Sequence, residues 1–298
     1  MVDSLKGVFI GYTAHDQIYV VDAFPPENTK IRADKCYTQL GGNAANAALT
    51  FAQMGCEAKV LSCVENGFPF HKCLPQIAGN GEFIFLDCAP EDYPSSLSTI
   101  VVNKNTGTRT LFSSPKDDDL QAILPDPPVE DFDLLLIDGF FRNLAVEYVE
   151  KANAKGVPVV MDADKWRTDK YSEFIHNVDI PICSDDFYPP GCETSRDVIA
   201  FFQARGVEKM AITRGEKPLI VLQNGNVTEI PVPSVAAVDT LAAGDIFHGA
   251  FCYHYLQTNG DFQESLLKAA DMASRSCTTF GIDWDDLLQE PEALQPNN

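Results

Sequence analysis

The chain has 298 residues, and its 22 Lys and Arg against 43 Asp and Glu give a formal net charge of −21. Such an acidic balance argues against binding to nucleic acid or to anionic membranes, which requires a basic surface. With 45% apolar residues a sizeable core can form, yet no apolar run approaches the roughly 20 residues of a membrane span. The start lacks the features of a signal peptide and the nine cysteines are scattered, so we expect a cytoplasmic protein without a disulfide framework.

In the first part of the chain, short apolar runs alternate with turns, which is typical of buried strands joined by helices. Strands are predicted over 7–12, 17–21, 31–40, 58–64 and 82–86. Helices are predicted over 43–54 and over 68–78, with Pro75 interrupting the second. Asn43 is expected to cap the first helix and Gly55 to end it, and Asp16 falls in a polar loop between the first two strands.

A hairpin signal comes next. Two β-rich runs, 97–103 and 108–113, flank the turn-forming residues 104–107. Together with the runs at 17–21 and 31–40, they are expected to form a small separate sheet. This sheet would be a lid drawn from roughly residues 13–40 and 95–115.

From residue 132 onward, strands and helices alternate regularly. The predicted strands are 133–138, 157–162, 178–183 and 209–213, and the predicted helices are 144–154, 169–176 and 196–204. A second hairpin (219–222 with 227–230), two long helices (245–257 and 262–278) and an acidic tail after residue 288 complete the pattern. Apolar strands alternating with helices predict an α/β fold, Rossmann-like, with a mainly parallel sheet flanked by helices, in one domain over 1–298. Such sheets bind ligands at the carboxyl ends of their strands.

The segment over 237–251, AVDTLAAGDIFHGAF, has small residues at 242–244 directly before a predicted helix. Small side chains leave the free N–H groups of the helix start open, and the helix dipole favours an anion there. Asp245 falls in the first helical turn, where the dipole favours its ionised form and where it can orient a hydroxyl nucleophile. A helix-capping aspartate after a tight turn is the alternative interpretation.

A second segment, GGNAANAA over 41–48, begins the first predicted helix. Gly41 and Gly42 allow a close backbone approach, and Asn43 and Asn46 share one helix face because they are three residues apart. Asparagine side chains both donate and accept hydrogen bonds, which suits a polyhydroxylated ligand. An ordinary glycine turn with a capping asparagine is the alternative.

Taken together, the two segments resemble the motifs of the PfkB family, the ribokinase-like carbohydrate kinases. GGNAANAA at 41–48 matches that family's GGN-x-A-x-N-x-A element, and DTLAAGD at 239–245 matches its DT-x-GAGD element. The resemblance extends over nearly the whole chain, including the lid strands and the final pair of helices. It implies a Rossmann-like core with a β-sheet lid, and transfer of the γ-phosphoryl group of ATP to a sugar hydroxyl.

The resemblance also implies roles for individual residues. On the phosphate side these are Asp245 as catalytic base, the backbone of Ala242, Ala243 and Gly244 as anion hole, and Thr213, Arg214 and Gly215 as the start of the nucleotide loop. On the sugar side they are Asp16, Gly41, Gly42, Asn43 and Asn46, with Arg109 similar to a lid arginine of ketohexokinase-like members. His248, one turn after the base, either faces the substrate or packs in the core.

The sequence departs from the family pattern at three places. Ala242 replaces the first glycine of GAG; alanine keeps the N–H donor and adds one methyl group, so the anion hole can survive if φ is negative there. Pro218 replaces the second glycine of the T-x-G-x-x-G loop and removes an N–H group. In the N-x-x-E element, Ser184 and Phe187 replace Asn and Glu.

This last departure leaves Asp185 or Asp186 to hold the metal through water. The implied cofactors are ATP and Mg²⁺, with a monovalent cation as an additional candidate. The absence of a Walker A sequence excludes a P-loop kinase. We therefore expect an ATP-dependent kinase of a small sugar, ketose or pentose-like, and a homodimer formed through the lid. The alternatives are a nucleoside kinase of the same superfamily and a sugar-binding regulator that has lost catalysis.

Overall fold

The computed structural model describes residues 4–114, 120–166 and 169–289. Its strands are β1 (Lys6–Ile10), β2 (Ala14–Val21), β3 (Lys35–Gly41), β4 (Glu57–Ser62), β5 (Glu82–Asp87), β6 (Leu97–Asn103), β7 (Arg109–Ser113), β8 (Leu134–Ile137), β9 (Val159–Ala163), β10 (Ile180–Ser184), β11 (Lys209–Arg214), β12 (Lys217–Gln223) and β13 (Asn226–Ile230). Its α-helices are α1 (Asn43–Gln53), α2 (Phe70–Cys73), α3 (Arg142–Lys155), α4 (Ser195–Gln203), α5 (Ala243–Gln257), α6 (Phe262–Ser276) and α7 (Trp284–Leu287). The expected acidic tail after residue 288 lies largely outside the described residues.

The larger sheet has nine strands in the order β13-β12-β11-β10-β9-β8-β1-β4-β5. All neighbours from β11 to β5 are parallel, and β12 and β13 add an antiparallel edge. The central strands β8 and β9 are buried at every position because helices cover both faces. The predicted α/β architecture is confirmed.

Alternate side chains of one strand enter two different helical layers, as the two-residue period of a strand requires. Phe9 of β1 belongs to the core cluster that contains residues of α1, α5 and α6, whereas Val8 and Ile10 belong to the cluster that contains residues of α3 and α4. The two layers place the amino ends of α1 and α5 near the carboxyl ends of the parallel strands, where a ligand crevice is expected.

The smaller sheet has the order β3-β2-β6-β7. β2 runs parallel to β6 and antiparallel to β3, and β6 and β7 form the predicted hairpin. Ile18, Val20, Ile100 and Val102 form a buried apolar row on one face, against which Leu241 packs. This inner face therefore covers the chain segment that leads into α5.

Local structure differs from the predictions at four places. The helix expected over 68–78 is only α2, because Leu74 before Pro75 adopts the extended conformation that a following proline favours. The helix expected over 169–176 consists of two short 3-10 segments, Asp169–Glu173 and Ile175–Asn177. Strand β3 begins at Lys35 rather than at residue 31, and Asp16 lies within β2 rather than in a loop. None of the helices that the described residues form is long and apolar enough to cross a bilayer.

Candidate active site

The start of α5 has the uncapped N–H groups and the open space that the predicted anion site requires. Its N-cap is Ala242, and no side chain caps it. The first N–H groups of a helix have no partner within the helix, and among the described residues no acceptor contacts the N–H of Gly244 or Asp245. A Cβ added at Gly244 would meet no atom within 4 Å, so the space over this turn is open. The N–H of Ala243 is turned toward the Thr240 carbonyl at 3.4 Å.

Ala242 does not have the negative φ that its substitution for glycine was expected to require. Its φ is +60°, in the left-handed region, and a residue with a Cβ pays roughly 1–2 kcal/mol to stay there. The condition set for the anion hole, a negative φ at this position, is therefore not met. Ala242 thus adopts a backbone conformation that glycine takes without strain, and this strain lowers the stability of the fold.

Asp245 lies in the first turn of α5 and is partly exposed. Its Oδ2 accepts a hydrogen bond from Asn46 Nδ2 of α1 at 2.8 Å. Burial raises the pKa of Asp245 well above its ordinary value, and the charge of Asp162 adds to this. The Asn46 hydrogen bond opposes the rise, whereas Asp16 and Asp138 increase it. The expectation that the helix dipole keeps this carboxylate readily ionised is therefore corrected: desolvation and neighbouring carboxylates outweigh the dipole.

Two glycines allow the start of α1 to lie close to the residues that follow β1 and to Asp16 of the lid strand β2. A Cβ on Gly42, whose φ is +94°, would lie 2.2 Å from the Tyr12 carbonyl oxygen. A Cβ on Gly41 would lie 2.2 Å from Asp16 Oδ1, so glycine lets the buried Asp16 carboxylate approach this turn. Both glycines are required by close contact, which brings Asp16 to the start of α1.

Asn43 does not cap α1 as expected. Gly42 is the N-cap residue, and Asn43 Nδ2 instead donates to Asp162 Oδ2 at 3.1 Å. The asparagine is turned across the crevice to β9 because the helix start already has another acceptor. That acceptor is Asp138, a residue that the sequence analysis did not single out.

Asp138 follows β8 and is buried. Its Oδ2 accepts from the backbone N–H of Tyr12 at 2.8 Å and of Ala44 at 3.3 Å, and its Oδ1 accepts from the N–H of Phe140 at 3.0 Å. One carboxylate thus ties together the end of β1, the start of α1 and the loop after β8. An acid directly after a buried strand was the available signal, but its partners are backbone groups, which no side-chain pattern shows.

His248 is buried in α5 rather than facing open space. Its Nδ1 lies 2.7 Å from the Gly244 carbonyl oxygen, and its Nε2 lies 3.4 Å from the Ile182 carbonyl oxygen and 3.6 Å from Asp162 Oδ1. The ring therefore sits between the helix-start turn and the carboxylate that binds Asn43.

The lid reaches the same turn through Arg109. This exposed side chain donates to the hydroxyl oxygen of Thr240, just before α5. Asp239 accepts the N–H groups of Leu241 at 2.9 Å and Gly281 at 3.2 Å, which fixes the chain leading into the helix. Arg109 is thus a cation close to the predicted anion site.

The residues proposed for the nucleotide loop lie at the end of β11. Thr213 donates to the Cys183 carbonyl at 3.3 Å, and Gly215 has a φ of +61° in the turn. The Arg214 guanidinium donates to the Pro218 carbonyl at 2.7 Å and to Glu229 at 2.8 Å. Arg214 closes the β11–β12 turn, so its side chain is engaged within the protein.

The metal-binding element is altered as the sequence indicates. Phe187, at the position of the family's glutamate, is buried beside Trp166 and Tyr171 with ring centroids 5.7 and 5.9 Å away. Asp185 is partly exposed and Asp186 exposed, directly after β10. Among the described residues no group of three or more His, Cys, Asp or Glu could hold a metal ion. The carboxylates fit a Mg²⁺ that arrives with phosphates and keeps its waters, which needs only one or two of them.

Comparison with known proteins agrees with this fold. The model of the pfkB family carbohydrate kinases matches residues 5–284, and the chain belongs to that family. A ketohexokinase of Mus musculus is 23% identical over 92% of this chain and 96% of its own length. A nucleoside kinase of Methanocaldococcus jannaschii is 22% identical, with 95% of both proteins covered.

The fold has a solved counterpart in the ribokinase of Arabidopsis thaliana complexed with ribose and ATP. It superimposes with a TM-score of 0.71 at 17% identity, covering 96% of this chain and 98% of that one. The protein is accordingly a sugar or nucleoside kinase of the PfkB and ribokinase family.

Proposed function

We propose that the protein transfers the γ-phosphoryl group of ATP to a hydroxyl group of a small sugar, ketose or pentose-like. The observation that carries this proposal is the position of Asp245. Its carboxylate lies beside the open N–H groups of the α5 start and accepts a hydrogen bond from Asn46 of α1. A hydroxyl held at α1 and a phosphoryl group held at α5 would both be next to this one carboxylate.

In this mechanism Asp16, Asn43 and Asn46 bind the sugar hydroxyls. Asp245 orients the attacking hydroxyl and accepts its proton as the bond to phosphorus forms. Phosphoryl transfer has a loose transition state, so positioning and charge stabilisation supply most of the catalysis. The backbone at 242–244, together with the N–H of Asp245, stabilises the charge on the phosphoryl oxygens. The lid excludes water that would otherwise hydrolyse ATP.

Asp185 and Asp186 are the residues that would hold Mg²⁺ through water. The ion would neutralise phosphate charge and help to align the nucleotide. Phe187 takes no part, because it is buried in the aromatic cluster. Thr213 and the backbone of Gly215 are the proposed contacts on the nucleotide side, whereas Arg214 is held by the hairpin.

A sugar acceptor is favoured over a nucleoside by the inner face of the lid. Gln39 and Ser98 are the register partners of Asp16 on the two neighbouring strands, so three polar side chains form a row on this face. Leu111 pairs with Ile100 on the same face and is 49% exposed. It is the apolar surface that a nucleobase would contact, which keeps a nucleoside kinase as the second candidate.

The decisive experiment measures ADP production with a panel of ketoses, pentoses and nucleosides, with and without Mg²⁺. We expect turnover with at least one sugar and loss of that turnover in Asp245→Asn. Asp131→Asn, at an exposed residue paired with Lys6, serves as the control. A nucleoside used in preference to every sugar would overturn the proposed acceptor, and binding of a sugar without turnover would indicate a regulator that has lost catalysis.

We further propose a homodimer formed through the outer face of the lid. Among the apolar lid residues, Ile100 and Val21 are buried, whereas Tyr19 is partly exposed. Phe24 and Phe112 add a stacked pair, 6.4 Å between centroids and each about half exposed. Apolar surface of this kind favours association with a shaped partner. Light scattering at micromolar concentration should give twice the chain mass, and Phe112→Glu should return it to one.

A further inference from the structure

The lid strand β3 carries a buried hydroxyl group that has no partner in the protein. Tyr37 is the register partner of Ile18, and its ring packs on the apolar row of the inner face of the lid. Its hydroxyl oxygen is buried, yet no hydrogen-bond partner lies within reach among the described residues. An unpaired buried polar group costs free energy, so each such group in a folded protein calls for an explanation. Packing of the ring holds Tyr37 in place, and the hydroxyl adds no contact to the fold.

Tyr37 lines a cavity that also reaches the proposed acceptor site. The cavity has a volume of about 990 Å³, and its wall includes Gln39 of β3 and Asn46 of α1. Gln39 belongs to the polar row of Asp16, and Asn46 is one of the proposed sugar ligands. Side chains on one face of a strand are two residues apart, about 7 Å, so Tyr37 comes next to Gln39 along this face of β3. The wall of the cavity thus continues from the acceptor site to Tyr37.

The hydroxyl of Tyr37 is available as a hydrogen-bond donor at neutral pH. Burial raises the pKa of Tyr37 to about 12, and the charge of Asp239 adds to this. The two oxygens of Asp239 already accept the N–H groups of Leu241 at 2.9 Å and Gly281 at 3.2 Å. The phenol therefore stays protonated and can donate one hydrogen bond to an oxygen atom of a ligand.

We propose that Tyr37 is a specificity-determining residue of the acceptor site, which donates its hydroxyl hydrogen to a second hydroxyl group of the sugar, remote from the one that is phosphorylated. This rests on the proposed function, in which Asp16, Asn43 and Asn46 bind the sugar. A site that supplies a buried partner for a substrate hydroxyl rejects the analogue that lacks it, because the polar group of the protein is then left unpaired. The acceptor class is thus a sugar with a free hydroxyl at the end away from Asp245, in preference to its deoxy counterpart.

The first test is Tyr37→Phe, which keeps the packing of the ring on the lid and removes only the hydroxyl. The KM of the best sugar should rise about tenfold, as for one lost hydrogen bond, with kcat nearly unchanged. Among monodeoxy analogues of that sugar, the one that lacks the second hydroxyl should be used equally well by wild type and variant. An unchanged KM in Tyr37→Phe would overturn the proposal even where Asp245→Asn abolishes turnover and so supports the kinase assignment. Calorimetry with the same sugar measures the same ratio if the chain binds sugars without phosphorylating them.

Tyr148 is the matched control, because its hydroxyl oxygen accepts the backbone N–H of Val129 at 3.1 Å within the main core. Tyr148→Phe should lower the melting temperature and leave the KM of the sugar unchanged. Tyr37→Phe should leave the melting temperature unchanged or raise it, since its hydroxyl has no partner in the protein to lose. This comparison of melting temperatures needs no acceptor. A Tyr37→Phe variant as destabilised as Tyr148→Phe would show that the hydroxyl serves the fold, and would overturn the proposal whether or not the kinase assignment stands.

Discussion

The two helix starts that face each other in the site are built alike but used differently. Each is preceded by a residue with a positive φ, Gly42 before α1 and Ala242 before α5, and neither has a side-chain cap. At α1 the protein fills the anion position itself, because Asp138 accepts the N–H of Ala44. At α5 the N–H groups of Gly244 and Asp245 are left without an acceptor among the described residues.

This difference shows how one local motif serves two tasks. At the start of α1, where Asp138 accepts the N–H of Ala44, the helix presents the side chains of Asn43 and Asn46. A helix start whose N–H groups are open is itself a binding site for an anion. In the proposed reaction, the sugar acceptor is held at the start of α1 and the phosphoryl group at the start of α5. The buried carboxylate of Asp138, which accepts an N–H at the α1 start, distinguishes the two helix starts.

The sharpest test of the comparison is Asp245→Asn, at the open helix start. The substitution keeps the shape and the contact with Asn46 but removes the proton acceptor, and a loss of order 10²–10⁴ in kcat is expected, as for general bases. Sugar affinity, measured by calorimetry, should change little. A variant with near wild-type turnover would show that Asp245 only shapes the turn.

A second test concerns the acceptor side. Asp16→Ala should weaken sugar binding by roughly 1–3 kcal/mol, because a charged hydrogen bond to a hydroxyl is lost. ATP affinity should stay nearly the same. Gln17→Ala is the matched control, since the next residue of β2 points to the opposite face of the sheet. Equal weakening of ATP and sugar would contradict the assignment of Asp16 to the sugar.

A third test removes the charge that fills the α1 start. Asp138→Asn replaces an acceptor of three N–H groups by an amide whose nitrogen cannot accept, so a loss of about 1–2 kcal/mol in the free energy of unfolding is expected. Urea unfolding measures it, with Asp131→Asn as an exposed control. If stability is unchanged, Asp138 does not hold the three segments together, and the contrast between the two helix starts loses its basis.

The smallest expected effect is at Ala242. Ala242→Gly should raise the free energy of unfolding by about 0.5–1 kcal/mol. Glycine relieves the strain of the positive φ, and its greater conformational freedom in the unfolded chain offsets part of this gain. Ala243→Gly, one residue later and inside the helix, should lower it by about 0.5–1 kcal/mol. Thermal unfolding of the pair checks both signs; the same sign for both variants would show that φ at 242 is not strained.

The predictable part of the molecule is the part that local patterns encode. Buried apolar runs such as 134–137 predict the strands, and the two glycine-containing segments indicate the residues that meet at Asp245. The roles of Asp138 and Asp162 depend on backbone and side-chain partners distant in the chain, which no local spacing reveals. The pKa of Asp245 likewise depends on burial and on the carboxylates of Asp162, Asp16 and Asp138, which come together only in the fold.

The register between strands β2 and β3 of the lid determines where the chain tolerates an insertion or a deletion. Ala14 pairs with Gly41 and Asp16 with Gln39, and this register points Asp16 at the α1 start. A strand alternates its faces at every residue, so a deletion of one residue inside β2 would turn Asp16 to the outer surface. The exposed connection between β2 and β3 carries no such restriction. Insertions there can therefore be accepted while the row of Asp16, Gln39 and Ser98 stays in register.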